Sequence, residues 1–307
     1  MIKRTLYFGN PAYLRTQNEQ LVITLPENGS GLNEKDRTTT VPIEDIGIVI
    51  LDHQQITISQ ALIAKLLENK AAFITCNQTH HPTGLLLNLD GNTLQAERFS
   101  EQIQASVPLK KNLWMQTVEQ KIKNQAFILN KYGEGDSDWL IQMSKSVRSG
   151  DPENLEGRAA AYYWKYLFGE DSSFIRDREG DSPNHLLNYG YAILRAITAR
   201  SLVGSGLLPT LGIHHRNKYN AYCLADDIME PYRPYVDLLV CEILKKNEEL
   251  PDELTKELKA QLLTIPILDV QIDGEKSPLM VGMQRTTASL SKCFSGTLNK
   301  ITYPKMY

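Results

Sequence analysis

At 307 residues the chain exceeds the usual size of one domain, so two domains are the natural expectation. Its 42% hydrophobic and 22% charged residues suit a protein with an ordinary buried core, and no apolar run is long enough to span a bilayer. A formal charge of -3 does not mark a nucleic-acid binder and leaves the partner to local patches.

The opening residues, Met1-Ile2-Lys3-Arg4-Thr5, run straight into an alternating strand pattern rather than a signal-peptide core, which reads as cytoplasmic with no membrane association. Residues 5–8 and 12–16 are expected strands, joined by the turn-forming cluster Gly9-Asn10-Pro11. A strand over residues 20–25 follows, then a polar loop to Arg37, then Ile43, the apolar run 46–51 and Thr57-Ile58. Ser59 is placed to cap an amphipathic helix over residues 60–69, in which Ala61, Leu62, Leu66 and Leu67 recur at helical spacing. Two more strands, residues 71–75 and 85–87, complete a small sheet or sandwich with one helix.

The pattern changes near residues 88–93. From Glu101 onward the apolar spacing is helical, with Leu113, Val118, Ile122, Ala126 and Leu129 along one broad face. Further helices are expected over residues 139–146, 155–168, 185–202, 235–244, 253–263 and 283–298. The expected architecture is α+β: a small N-terminal β domain over residues 1–95, then a larger all-α domain over residues 96–307. The four cysteines, Cys76, Cys223, Cys241 and Cys293, are scattered in apolar stretches and read as small buried hydrophobes, not a thiolate zinc site.

Three places in the helical part can carry chemistry. Asp151-Pro152 has the form of a helix start, an N-cap followed by proline at the first helical position. Glu156 then shares a helix face with Ala160, Tyr163 and Leu167, where a carboxylate has to be paired, protonated or bound to a cation. The second place is Gly212-Ile213-His214-His215-Arg216-Asn217-Lys218, two adjacent histidines beside basic residues; His53, His80, His81 and His185 read as structural. The third is the acidic cluster Asp226-Asp227-Ile228-Met229-Glu230-Pro231. On a helical turn Asp227 and Glu230 share a face, with Asp226 and Glu230 as the alternative pair, and Pro231 kinks or ends the turn. Carboxylates with one imidazole and no thiolate suit Mg²⁺ or Mn²⁺, with zinc still open by ligand type, and such ions catalyse phosphoryl transfer.

Several of these segments, in order, resemble the spacer-acquisition integrases called CRISPR-associated protein one. They are Leu155-Glu156-Gly157-Arg158-Ala159-Ala160, the pair Gly212 and His215, and Leu224-Ala225 with Asp227, Met229-Glu230 and Arg233-Pro234. Also similar are Asp181-Ser182-Pro183-Asn184-His185-Leu186-Leu187-Asn188-Tyr189-Gly190-Tyr191, Lys121-Ile122-Lys123-Asn124-Gln125, and the region of Asp45-Ile46. The resemblance covers nearly the whole chain, and its length and N-terminal motifs look most like versions from type II systems.

The resemblance selects His215 over His214 and implies Glu156, His215 and Glu230 as catalytic metal ligands, with Asp227 as an additional candidate. It implies a homodimer, with contacts for dimerisation and partners in the β domain. Two such dimers would flank a dimer of CRISPR-associated protein two on double-stranded DNA, prespacer and repeat array, with other adaptation or effector proteins as further partners. The implied reaction is attack of a spacer 3′-hydroxyl on a phosphodiester, with nuclease or disintegration activity as its counterpart. Arg216 and Lys218 are the expected phosphate contacts near the metal, and Lys110, Lys111, Lys121 and Lys123 form a second basic stretch, some of it a solvated helix face. Tyr162, Tyr163, Tyr189 and Tyr191 read as packing residues. The competing expectations are a non-catalytic DNA-binding scaffold and a metal-dependent DNA nuclease outside adaptation.

Overall fold

The computed structural model describes residues 3–27, 33, 35–78, 80, 82–169, 174–177, 180, 182–246 and 254–307. The chain divides into two compact units, Met1–Gly91 and Asn92–Tyr307. Asp181, His81, the stretch 28–32 of the polar loop and the expected helix start at Glu253 lie outside the described residues.

In the first unit the elements run β1 (Arg4–Phe8), β2 (Ala12–Gln17), β3 (Gln20–Thr24), β4 (Thr38–Pro42), β5 (Ile46–Leu51), β6 (Ile56–Ile58), α1 (Gln60–Glu68), β7 (Ala72–Cys76) and β8 (Pro82–Leu86). They form two four-stranded sheets, of order β1-β5-β7-β8 and β4-β3-β2-β6. Strand β5 lies parallel between β1 and β7, and five of its six residues are buried. A near-continuous apolar run is what a parallel strand covered on both faces requires. The Gly9-Asn10-Pro11 cluster carries the chain from one sheet to the other, because β1 and β2 belong to different sheets. Between β2 and β3 the chain turns on Asn18 and Glu19 alone, both at positive φ (51° and 58°), the twist a two-residue hairpin demands. Ser59 Oγ accepts the Leu62 N–H at 3.3 Å and caps α1, which buries Leu62 and Leu66 in the core.

The second unit is built from α2 (Gln95–Gln104), α3 (Val107–Tyr132), α4 (Ser137–Ser146), α5 (Leu155–Leu167), α6 (Asn184–Gly204), α7 (Cys223–Met229), α8 (Arg233–Lys246), α9 (Lys256–Leu262) and α10 (Leu279–Phe294). It is not wholly α-helical. A hairpin of β9 (Asp269–Ile272) and β10 (Glu275–Pro278) precedes α10, turned on Asp273 and Gly274 at φ 53° and 79°. Helix α3 starts with Ser106 Oγ accepting the Leu109 N–H and then buries Leu113, Val118, Ile122 and Leu129 completely. Helix α6 is buried along most of its length, as a helix apolar nearly all round must be. Cys223, Cys241 and Cys293 are buried and Cys76 half-buried, all as free thiols. Among the described residues, no helix is long and apolar enough to cross a membrane.

Candidate metal centre

Glu156 enters from the first turn of α5. The expected N-cap, Asp151 before Pro152, is corrected: Asn154, in the left-handed conformation at φ 51°, is the N-cap, and its Oδ1 accepts the Gly157 N–H. Asp151 serves the same helix from outside, because its buried carboxylate accepts the N–H groups of Leu155 (2.8 Å) and Glu156 (2.9 Å). Two free N–H groups of the first turn are thereby satisfied and the backbone of Glu156 is fixed. Its side chain, 26% exposed, ends on the ammonium of Lys121.

His215 comes from the loop between α6 and α7. The fully buried Asp227 carboxylate accepts the backbone N–H groups of Ile213 (2.7 Å), His214 (2.9 Å) and His215 (3.2 Å), and meets His215 Nδ1 at 2.5 Å. That hydrogen bond raises the pKa of His215 against the opposing effect of burial, and leaves Nε2 as the ring nitrogen not engaged by Asp227. Gly212 permits the wrap: a Cβ there would meet His215 O at 2.4 Å and Asp227 Oδ2 at 2.8 Å. His214 instead stacks on the buried Trp114, ring centroids 4.1 Å apart and planes within 5°, and partial burial lowers its pKa. Trp114 also meets His215 edge-on at 5.7 Å. The two histidines therefore have different tasks.

Glu230 stands where α7 passes through a single 3-10 turn, Glu230–Tyr232, into α8. It is buried, with Arg233 Nε donating to Oε1 at 2.8 Å and Lys121 Nζ 2.5 Å from Oε2. Burial works against the charge, but Arg233 and Lys121 pull the carboxyl pKa down to about 2. Asp226, the alternative partner of Glu230, is occupied elsewhere by Arg195 Nε at 2.6 Å and Asn220 Nδ2 at 2.7 Å.

Lys121 corrects the expected basic stretch: it is not a surface cation but lies buried between Glu156 and Glu230. Burial opposes its charge, yet Glu230 and Glu156 outweigh that and its pKa is raised. Lys123 pairs with Glu119 one turn back, and Lys111 is exposed. One turn along α3 from Gln120, Asn124 donates to Pro231 O at 2.7 Å and to Pro304 O at 3.2 Å, tying the Glu230 turn to the C-terminal segment. Arg216 and Lys218 are exposed on the His215 loop, with Tyr219 beside them at 84% exposure. Tyr163, Tyr189 and Tyr191 are buried; Tyr162 is half-buried beside Trp139 and Tyr166.

Among the described residues, no three His, Cys, Asp or Glu side chains converge closely enough to form a metal-binding group. Glu156 and Glu230 meet around Lys121, and His215 is near enough for the Glu230 charge to raise its pKa. Sequence spacing missed Trp114, Arg233 and the burial of Lys121. Only Arg233, three residues after Glu230, carried a local signal of pairing.

A protein from Neisseria meningitidis named CRISPR-associated endonuclease Cas1 is 36% identical over 290 residues, covering 94% of this chain and 91% of its own. Among solved structures, a casposase bound to an integration product superimposes with a TM-score of 0.79 at 18% identity, covering 98% of this chain and 92% of that one. A chain from a Cas6-RT-Cas1–Cas2 complex gives 0.72 at 20% identity, covering 97% of this chain and 36% of that one. The family profile of CRISPR associated protein Cas1 matches residues 6–268, and the chain belongs to the Cas1 family.

Proposed function

We propose that this chain is a metal-dependent DNA integrase of CRISPR adaptation, joining short spacer DNA to a repeat array by 3′-hydroxyl transesterification. The observation that carries the reading is Glu230. Its buried carboxylate faces Glu156 across a cation, and its Oε2 accepts no hydrogen bond of normal geometry. Two carboxylates with an imidazole nearby form an oxygen-rich donor set, which fits Mg²⁺ or Mn²⁺. Glu156, His215 and Glu230 would hold the ion, which when bound supplies Lewis-acid polarisation of the phosphate and charge stabilisation. Asp227 acts one step back, orienting His215 through Nδ1 as carboxylates behind metal-binding histidines do. Arg233 fixes one oxygen of Glu230 and leaves the other for the cation. Arg216 and Lys218, exposed next to His215, contact DNA phosphates without conferring sequence choice.

The name of the Neisseria meningitidis relative, an endonuclease, and the casposase held with an integration product support phosphodiester chemistry on DNA. The Cas1–Cas2 complex supports CRISPR-associated protein two as partner; double-stranded DNA as substrate and pairing as a homodimer belong to the same reading. The test is strand transfer of a short 3′-hydroxyl duplex into a repeat-bearing plasmid, with the partner protein and Mn²⁺ or Mg²⁺. Alanine at Glu156, His215 or Glu230 is expected to lower transfer roughly a hundredfold or more. Undiminished transfer would remove the catalytic assignment; cleavage with no joined product would favour a plain nuclease, and binding alone a scaffold.

A further inference from the structure

We infer that Lys121 is a built-in stand-in for the cation: its ammonium holds Glu156 and Glu230 together in the metal-free protein and is displaced when a divalent ion binds. The inference rests on the metal-centre reading above.

Charge balance is the first argument. Two carboxylates, Glu156 and Glu230, face two cations, Lys121 and Arg233, in a largely buried site. Adding a divalent ion beside these two resident cations sets like charges at contact distance where water screens them poorly. One resident cation has to yield.

The surroundings decide which. The Arg233 guanidinium donates to Glu230 Oε1 at 2.8 Å and lies over the Tyr191 ring, 4.5 Å from its centroid. Tyr191 is itself fixed by Asp237, which accepts its hydroxyl at 2.5 Å. Arg233 is thus clamped on both sides. Lys121 is a point charge on a flexible four-carbon stem, able to swing where a planar guanidinium is not. Its contact with Glu230 Oε2, at 2.5 Å, lacks hydrogen-bond direction, and the atoms it bridges are the ones offered to a metal. Without a cation at this point, two carboxylates would repel across the gap. Lys121 therefore keeps the site assembled and sets a threshold that the metal has to overcome.

Calorimetric titration of the full chain with Mn²⁺ tests this. The Lys121→Met variant keeps the stem and removes the charge. It is expected to bind Mn²⁺ about tenfold tighter or more, from loss of a like charge at contact distance. Its melting temperature is expected to fall below wild type without metal and to rise more steeply with Mn²⁺. Equal or weaker Mn²⁺ affinity in Lys121→Met, with wild-type binding that Glu230→Gln abolishes, overturns the role of Lys121 alone. Wild-type protein that binds no Mn²⁺, or binding untouched by Glu230→Gln, overturns the metal centre and the inference with it. Should Lys121→Met fail to fold, nitrogen-15 spectra of the lysine ammonium groups in wild type decide. Lys121 and Lys259 are buried lysines. Mg²⁺ is expected to abolish a protected ammonium signal, and spectra unchanged at saturating Mg²⁺ overturn the inference.

Discussion

Asp227 commits its whole carboxylate to the histidine loop, with three backbone N–H groups and one imidazole nitrogen on two oxygens. An amide cannot replace it. Asparagine would offer one acceptor oxygen and turn an NH₂ against donors, leaving buried N–H groups unmet. Asp227→Asn is expected to cost about 2–4 kcal/mol in denaturant unfolding. Transfer activity should fall further than stability does, because His215 loses its orientation; unchanged unfolding would sink this account of the loop. At this scale the sequence was informative where chemistry is local. The histidine pair and the acidic cluster stood out, and ordered motifs favoured His215, which takes the Asp227 bond while His214 stacks on Trp114. Local sequence does not reveal the burial of Lys121, because a Lys-Ile-Lys run has the form of a basic surface stretch. Its burial is imposed by Glu156 and Glu230, from other elements far along the chain.

The elements around the site are held by close approach as much as by apolar packing. Gly212 has no room for a methyl group, and the nearest obstacle is backbone, His215 O at 2.4 Å, which cannot swing away. Gly212→Ala is expected to destabilise the protein by about 1–3 kcal/mol and to displace the His215 loop. Melting curves and transfer assays on one preparation check this; wild-type activity would show that the loop tolerates the shift. Helix positions were legible from apolar periodicity, and α5 begins at Leu155 as expected. Its cap was not, since Asp151-Pro152 has the right residue types but Asn154 reaches the helix first. The β9–β10 hairpin carries a local signal as well: Asp273-Gly274, a two-residue turn pair, sits between Val270-Gln271-Ile272 and Lys276, in the interval between the helices expected over residues 253–263 and 283–298.

Across the whole molecule, the order of a β unit followed by a larger helical unit could be read from a period of two giving way to one near 3.6. Strand pairing could not, because which strand joins which sheet depends on contacts that spacing does not encode; β1 and β2 are neighbours in sequence and separate in sheets. Net charge is equally blind to position. A formal charge of -3 leaves the proposed attachment to DNA to local cations, and Arg216 and Lys218, both exposed, are the proposed contacts. Replacing either by alanine is expected to weaken binding similarly across DNA sequences and to reduce the slope of log affinity against log salt by about one. A slope equal to wild type would remove that residue from the DNA contact. The claim on which all of this turns is that Glu156, His215 and Glu230 share one cation. Anomalous diffraction from crystals soaked in Mn²⁺ tests it most directly. The account predicts a single manganese peak bonded to all three side chains, with the Lys121 ammonium moved away from Glu230. No peak there at saturating Mn²⁺, with Lys121 still between the two carboxylates, would contradict it.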